Sequence, residues 1–233
     1  MSSYKGHSIF ALILSIMFFH NPLLISLTLI GANVPDFDHK FKKDNVYKII
    51  ILGLVIFISL YILKLPYYIG LILVFLGVIF YFSEHRSFTH SIFGILVLMA
   101  SISLILILAY ELFVNITLIY ERYFVMTILT ALLSFLFLNN KVLLIFLPLF
   151  FISSYIFPIS SFKYYELAIA LFLGLFSHII LDSFTPAGIK IFAPISSKKV
   201  HKKFAIIFLL ILIIIAILFN FTFLFNLFDT YLI

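Results

Sequence analysis

The sequence predicts an all-α protein built as a polytopic transmembrane helical bundle, and three observations support this prediction. Of the 233 residues, 65% are hydrophobic and only 10% are charged, whereas a soluble domain has about 45–50% apolar and about 25% charged residues. The mean hydropathy is +1.29. Long apolar runs also alternate with short polar segments along the chain. We therefore expect a single integral-membrane domain over residues 1–233, with about seven spans plus an N-terminal re-entrant hairpin, or with eight spans.

The first apolar segment decides between these two counts. Residues 8–30 are apolar except for a His-Asn-Pro sequence at positions 20–22. Proline removes a helical hydrogen bond, and polar residues at the bilayer centre are costly. The segment is either one kinked span or two half-helices in a hairpin, since each half is shorter than the ~20 residues that a ~30 Å core requires. We favour the hairpin, which brings His7 to the same side of the membrane as residues 31–45.

Seven further apolar runs predict the remaining helices. Polar or proline-containing breaks separate neighbouring runs, and a basic loop at 184–203 precedes the last helix. The runs lie at about 46–63, 67–82, 91–110, 123–138, 142–157, 165–183 and 204–226.

Because each run reverses the side of the membrane, the polar segments at 31–45, 83–91 and 184–203 fall on one face. If that face is cytoplasmic, most Lys and Arg residues are inside, as the positive-inside rule expects. They are at positions 5, 40, 42, 43, 48, 86, 141, 190, 198, 199, 202 and 203, with only 64, 122 and 163 outside. We therefore expect a multi-pass protein of the cell (inner or plasma) membrane, with the motif loops cytoplasmic. Its basic loops would contact membrane lipids, and no basic face with interleaved aromatics suggests nucleic acid.

Polar groups at 83–91 form an island between two apolar runs. Each uncompensated polar group at a membrane boundary costs several kcal/mol, and a divalent metal is a suitable partner for two neutral imidazoles. Cysteine is absent, so any metal must bind to His, Asp, Glu or backbone oxygen. We expect His85 in the loop and His90 in the first turn of the next helix, with Thr89 or Ser87 as its N-cap.

Carboxylates come from two other segments. His178 and Asp182 are four residues apart on a predicted helix and share one side. They can chelate one metal, or the acid can orient the imidazole; the alternative is a hydrogen bond that only stabilises packing. Asp36 and Asp38 share a face of an extended segment and repel each other unless a cation lies between them; the alternative is a solvated loop. His39 is either a ligand or part of that loop.

These motifs together resemble one protein family. An early His is followed by Pro-Asp-x-Asp-His, by His-Arg-x-x-Thr-His-Ser, and by Gly-x-x-Ser-His-x-x-x-Asp-x-x-Thr-Pro-x-Gly. The matching residues are His7; Pro35, Asp36, Asp38 and His39; His85, Arg86, Thr89, His90 and Ser91; and Gly174, Ser177, His178, Asp182, Thr185, Pro186 and Gly188. The pattern, over residues 7–188, resembles the YdjM-like family of predicted membrane-bound metal-dependent hydrolases. The resemblance implies an integral membrane protein with a His/Asp metal centre and hydrolase activity. The order of His and Asp is also similar to that of zinc-dependent phospholipase C and related nucleases.

We therefore predict a metal-dependent hydrolase that acts at the cytoplasmic membrane interface on a phosphoester or lipid-like substrate, such as a phospholipid or another amphiphile. Asp38 or Glu84 would accept the proton of a metal-activated water, and Arg86 would stabilise the charge that grows on the attacked group. Zinc is the first choice for the metal and manganese the second. The predicted ligands are His7, Asp36, His85, His90, His178 and Asp182.

Two other classes of function compete with this prediction. A metal-ion or proton-coupled transporter would use the same cluster near the membrane midplane and would contain paired broken helices in two halves of the chain. A non-enzymatic scaffold would use the polar residues only to fix helices and contact headgroups. Six ligands exceed one tetrahedral site, so either two metals share a carboxylate or some of the six residues only orient the ligands.

Overall fold

The computed structural model describes residues 4–38, 43–117, 121–157 and 163–232. Within these ranges the chain forms α-helices joined by short turns, and no strand of a sheet is present. The helices are α1 (Tyr4–Phe18), α2 (Pro22–Gly31), α3 (Lys43–Ile62), α4 (Tyr68–Phe82), α5 (Ile92–Thr117), α6 (Arg122–Phe137), α7 (Asn140–Ile156), α8 (Tyr164–Ser183) and α9 (Lys202–Leu232). Four of them, α3, α5, α8 and α9, are long and apolar enough to cross a membrane. This confirms the predicted helical bundle.

The N-terminal segment forms two short helices, as the hairpin interpretation requires. The α1 helix has 15 residues and α2 has 10, so neither reaches the ~20 residues of a full span. The Asn21 side chain accepts a hydrogen bond from the Leu23 amide at 2.9 Å and caps α2, and Pro22 occupies a first-turn position where its missing N–H is harmless. The start of α1 and the end of α2 therefore lie at the same end of the bundle.

Helix α8 is the centre of the bundle and packs against α1, α2, α5 and α9. Its contact with α2 is a close backbone approach: a Cβ at Gly174 would meet the backbone of Thr28 and Ala32, and a Cβ at Gly31 would meet the carbonyl of Leu171. Small residues let helix backbones approach closely in membranes, where packing and hydrogen bonds hold helices together. This close packing fixes the position of the α8 side chains relative to the segment that follows α2.

Two sequence predictions about α5 need correction. The apolar run ended at about residue 110, but α5 continues through Glu111 to Thr117, because helix hydrogen bonding does not need an apolar side chain and Glu is a good helix former. Neither Thr89 nor Ser87 caps α5. Ser91 does so instead, because its hydroxyl accepts a hydrogen bond from the Gly94 amide at 3.0 Å.

The segment between α8 and α9 lies against the start of α5. The Ile92 amide donates to the Ile191 carbonyl at 3.0 Å, and Ile189 pairs with Val200 in an isolated antiparallel bridge. Gly188 has a φ of 63°, which glycine adopts without strain. Ile189 and Ile191 are fully buried, so this basic loop forms part of the same end of the bundle.

Candidate metal centre

Helix α8 contributes two side chains to a buried cluster, His178 and Asp182, one helical turn apart. Both are almost fully buried. His178 Nδ1 lies 2.7 Å from the carbonyl oxygen of Ala32; a carbonyl only accepts, so Nδ1 carries the proton. This bond leaves the Nε2 lone pair of His178 available towards the cluster, which is how a backbone carbonyl typically orients a metal-binding imidazole.

The 83–91 segment brings His90 to the same place. Residues Phe88–His90 form a short 3₁₀ turn, and α5 begins only at Ile92. His90 is therefore not in the first turn of α5, as the sequence predicted, but in the turn before it. Its Nε2 lies 3.1 Å from Nε2 of His178. Two ligand atoms on one tetrahedral ion, each bound at about 2.0–2.1 Å, are about 3.3 Å apart, so the two imidazoles have the separation of ligands that share an ion.

Asp38 orients two of the imidazoles. Its Oδ1 lies 2.8 Å from His85 Nδ1, and its Oδ2 lies 3.3 Å from His90 Nδ1 and accepts a hydrogen bond from the Thr89 hydroxyl. Burial alone would raise the pKa of Asp38, but these hydrogen bonds outweigh burial and lower it to about 2. Both carboxylate oxygens are therefore engaged, and the Nε2 atoms of His85 and His90 are left for other partners.

Asp36, Asp182 and His7 complete the cluster. Asp182 lies 3.5 Å from His7 Nε2, 3.6 Å from His90 Nε2 and 3.8 Å from His178 Nε2. Asp36 Oδ1 lies 3.7 Å from His178 Nε2. The His7 and His178 rings stack with their centroids 3.8 Å apart. Three overlapping sets of three potential ligands result: His7, His178 and Asp182; Asp36, His90 and His178; and Asp38, His85 and His90.

The charge of the cluster also fits a divalent cation. Asp36, Asp38 and Asp182 contribute three carboxylates, two of them nearly inaccessible, and Arg86 contributes one positive charge. Buried charges are tolerated only when they are paired or coordinate a metal. With neutral imidazoles the cluster has an excess of negative charge that a divalent ion would balance. Imidazole nitrogens together with carboxylate oxygens suit zinc and manganese.

Arg86 lies at the edge of the cluster in a left-handed conformation, with φ 63°. Its Nη1 donates to the Thr185 hydroxyl at 3.1 Å, and its Nε lies 3.5 Å from Asp182 Oδ2. The Lys190 amide approaches the Arg86 carbonyl at 3.5 Å. Strained backbone of this kind persists where the surrounding contacts hold it, often at functional sites.

All six residues predicted as metal ligands meet in this cluster, together with Asp38 and Arg86. Glu84 does not: its side chain is 84% exposed and its nearest charged partner is Lys190 Nζ at 4.0 Å. His39 lies outside the described residues. The sequence analysis missed the Ala32 carbonyl that orients His178, because a backbone acceptor leaves no signal in the residue type. It also missed the hydrogen bond that the Thr89 hydroxyl donates to Asp38, although a hydroxyl next to His90 in the sequence is a possible donor to a carboxylate.

Fold and site define a class: a polytopic helical membrane protein with a candidate His/Asp metal centre at one end of its bundle. Residues 3–231, nearly the whole chain, match the family described as YdjM inner membrane protein. The chain belongs to this family, as the motifs indicated. Comparison with curated proteins gave no match, and comparison with solved structures gave none either.

Proposed function

We propose that this protein is a membrane-bound, metal-dependent hydrolase that acts at the cytoplasmic membrane interface on a phosphoester or lipid-like substrate. The observation that carries the proposal is the approach of His90 Nε2 and His178 Nε2 to 3.1 Å, inside a buried cluster that also contains three carboxylates. Buried imidazoles and carboxylates at ligand spacing are typical of catalytic metal sites, and structural zinc sites more often use cysteine, which this chain lacks.

The metal would be held by His90, His178 and Asp182, with Asp36 and His7 as the next ligands. Zinc is the first choice, because three imidazoles contribute, and manganese is the second. A bound divalent ion supplies Lewis-acid chemistry and an acidified water molecule. Asp38 acts as a positioning residue, since both of its oxygens already accept hydrogen bonds from groups around the site.

Arg86 would bind the anionic group of the substrate. Nη1 of Arg86 donates a hydrogen bond to the Thr185 hydroxyl. The Nε atom of Arg86 is buried and makes no hydrogen bond within the described residues. Nε faces Asp182 Oδ2 at 3.5 Å, and the Arg86 side chain is 14% exposed, so its remaining guanidinium N–H groups are the donors that an anionic substrate group would meet. Glu84 was the other predicted proton acceptor, but its side chain is 84% exposed outside the cluster, so the proposal assigns it no role at the metal.

The position of the cluster favours an interfacial enzyme over a transporter. His7 lies in the first turn of α1, Asp36 follows α2, and Asp182 is in the last turn of α8. The cluster is therefore at the helix ends, whereas a transport site is expected near mid-span between paired broken helices. The one such break that the sequence predicted, at residues 20–22, separates α1 from α2.

Metal analysis of the purified protein tests the proposal. We expect bound zinc or manganese in the wild type and in His20→Ala, an exposed control at the far end of α1, but a large loss in both His90→Ala and His178→Ala. We also expect metal-dependent hydrolysis of phospholipids or of generic phosphoesters, abolished by the same two substitutions. A protein without bound metal would indicate a scaffold, and bound metal that crosses proteoliposomes without hydrolysis would indicate a transporter.

A further inference from the structure

A cleft between the start of α1, the start of α3 and the α6–α7 turn lies next to the metal centre. Its volume is about 430 Å³, which is within the range of small-molecule sites, about 300–1,000 Å³. Phe37, Ile49 and Phe137 form an apolar wall and are nearly inaccessible. The exposed rim is polar instead and consists of Asn45, Lys48, Asn139 and Asn140.

The cleft and the metal centre share two chain segments. Phe37, in the cleft wall, lies between Asp36 and Asp38 in one 3₁₀ turn. Tyr4, which also lines the cleft, is one helical turn before His7, and its hydroxyl donates to the Phe137 carbonyl at 2.5 Å. That bond ties the start of α1 to the end of α6 and closes one side of the cleft. A molecule in the cleft would therefore lie beside the carboxylates of the metal centre.

The rim lies where two apolar helices begin. The apolar part of α3 that is long enough to cross a membrane starts at Asn45, so Lys48 is in its first turn. Helix α7 starts at Asn140, directly after the Asn139 turn. Amide and ammonium groups at the point where apolar helices begin lie in the polar interface, where lipid headgroups are found.

The chemistry of the rim selects an anion that accepts several hydrogen bonds. Lys48 is the only residue with a charged side chain among the described residues that line the cleft. The Asn139 side-chain oxygen accepts a hydrogen bond from the Lys141 amide at 3.0 Å, so its NH₂ group is left to donate to a ligand. A phosphate group offers both the charge and the acceptor oxygens that an ammonium and amide NH₂ groups bind.

We propose that this cleft binds a phosphate-type group of the substrate other than the group attacked at the metal centre, which Arg86 would hold, and thereby positions the substrate beside that centre. The inference rests on the proposed function for the identity of the bound molecule as substrate. Lys48 adds a positive charge on the cleft side of the carboxylates, so an anion in the cleft meets an ammonium group and not only Asp36 and Asp38. The phosphate group belongs either to a lipid headgroup or to a soluble phosphate ester.

Binding measurements with Lys48→Gln test the cleft, and Lys141→Gln is the matched control. Lys141 is exposed and adjacent to the rim, but it does not line the cleft. The probes are phosphatidylglycerol and diacylglycerol in micelles of uncharged detergent, and glycerol phosphate in solution. We expect Lys48→Gln to weaken phosphatidylglycerol binding by about fivefold, and Lys141→Gln by less than about twofold. Equal effects of the two substitutions, or diacylglycerol binding as tight as phosphatidylglycerol binding, would overturn the proposal.

Glycerol phosphate separates the two sources of the phosphate group. If it binds and its affinity depends on Lys48, the cleft accepts a soluble ester; if only phosphatidylglycerol shows that dependence, the cleft is specific for a lipid headgroup. A second variant, Asn45→Trp, fills the cleft without changing its charge and should also abolish binding while the protein keeps its melting temperature. Binding that survives this variant would place the anion elsewhere.

Failure of this inference can be distinguished from failure of the proposed function. Titrations are carried out with metal-loaded and with metal-stripped protein, and metal content is measured for each variant. Lys48-dependent binding by a protein that holds no metal and hydrolyses nothing would support the cleft and contradict the hydrolase. Metal-dependent hydrolysis with no contribution from Lys48 would contradict only the cleft.

Discussion

Helices α8 and α9 make an instructive comparison, because both offer a 20-residue stretch that can cross a membrane. Over an 18-residue window of each stretch, α9 is the more apolar, with a mean hydropathy of 3.2 against 1.7 in α8. Yet 61% of the α8 window is buried inside the protein and only 11% of the α9 window. Hydropathy therefore identifies helices that can cross a membrane, but within this protein the less apolar helix is the one in the core.

The physical reason is that lipid cannot satisfy polar groups and a protein interior can. On α8, His178 Nδ1 donates to the Ala32 carbonyl of the segment after α2, and Asp182 pairs with His7 and Arg86; the side chains of His178 and Asp182 are both nearly inaccessible. Exposed positions of α9 are mainly Ile, Leu and Phe, which lose nothing in contact with lipid tails. The polar residues of α8 thus need the surrounding helices, and they form the metal centre together with them.

Gly174→Val should lower the free energy of unfolding the most, because it disrupts the packing that buries α8. The new Cβ would meet the backbone of Thr28 and Ala32 in α2, and backbone cannot move aside as a side chain can. We expect a loss of at least about 4 kcal/mol in the free energy of unfolding, measured by denaturant titration in detergent. Ala168→Val, half-buried on the same helix, should cost much less. Similar stabilities for the two variants would contradict the close α2–α8 packing.

A matched pair of Leu→Ala substitutions measures the difference between the two helices directly. Leu171 in α8 is fully buried, and Leu210 in α9 is 54% exposed. We expect Leu171→Ala to lower the free energy of unfolding by about 2–5 kcal/mol through the cavity that it leaves. Leu210→Ala should cost less than about 1 kcal/mol, since lipid tails fill the space. Comparable losses would mean that α9 packs against another part of the protein or a second copy.

Asp38→Asn should have a smaller effect, on the metal centre rather than on the fold. An amide cannot accept hydrogen bonds from two imidazoles and a hydroxyl as the carboxylate does, so His85 and His90 would be oriented less well. We expect metal affinity to fall by about 10- to 100-fold, measured by competition with a chelator. Glu111→Gln, exposed on α5 away from the motif segments, is the control. Unchanged affinity would show that Asp38 does not orient the ligands.

The sequence alone predicted that the six proposed ligands lie close together and that the N-terminal segment is divided into two short helices. Parity of the apolar runs put the motifs on one face, and the i, i+4 spacing put His178 and Asp182 on one side of a helix. The sequence did not predict which side chains of the 83–91 segment point towards the cluster. Glu84 and Arg86 are neighbours in one turn, yet Arg86 points to Asp182 and Glu84 to solvent, because the left-handed backbone at Arg86 directs the chain. Residue type gives no sign of that conformation in a non-glycine residue.

The smallest predicted effect tests whether a polar contact in the core is worth more than one at the lipid-facing surface. Asn33 Nδ2 donates to the Ser8 hydroxyl at 3.1 Å, and both side chains are buried between α1 and the end of α2. Ser153 is less buried on α7 and donates only to the Phe150 carbonyl at 3.0 Å of its own helix. We expect Ser8→Ala to cost about 1 kcal/mol of the free energy of unfolding, and Ser153→Ala less than about 0.5 kcal/mol. Because Asn33 also donates to the Leu29 carbonyl at 2.8 Å, it keeps one acceptor in Ser8→Ala. A cost well above 1 kcal/mol would therefore indicate that Asn33 Oδ1, which accepts a hydrogen bond from the Ser8 hydroxyl at 3.3 Å, finds no other donor in Ser8→Ala.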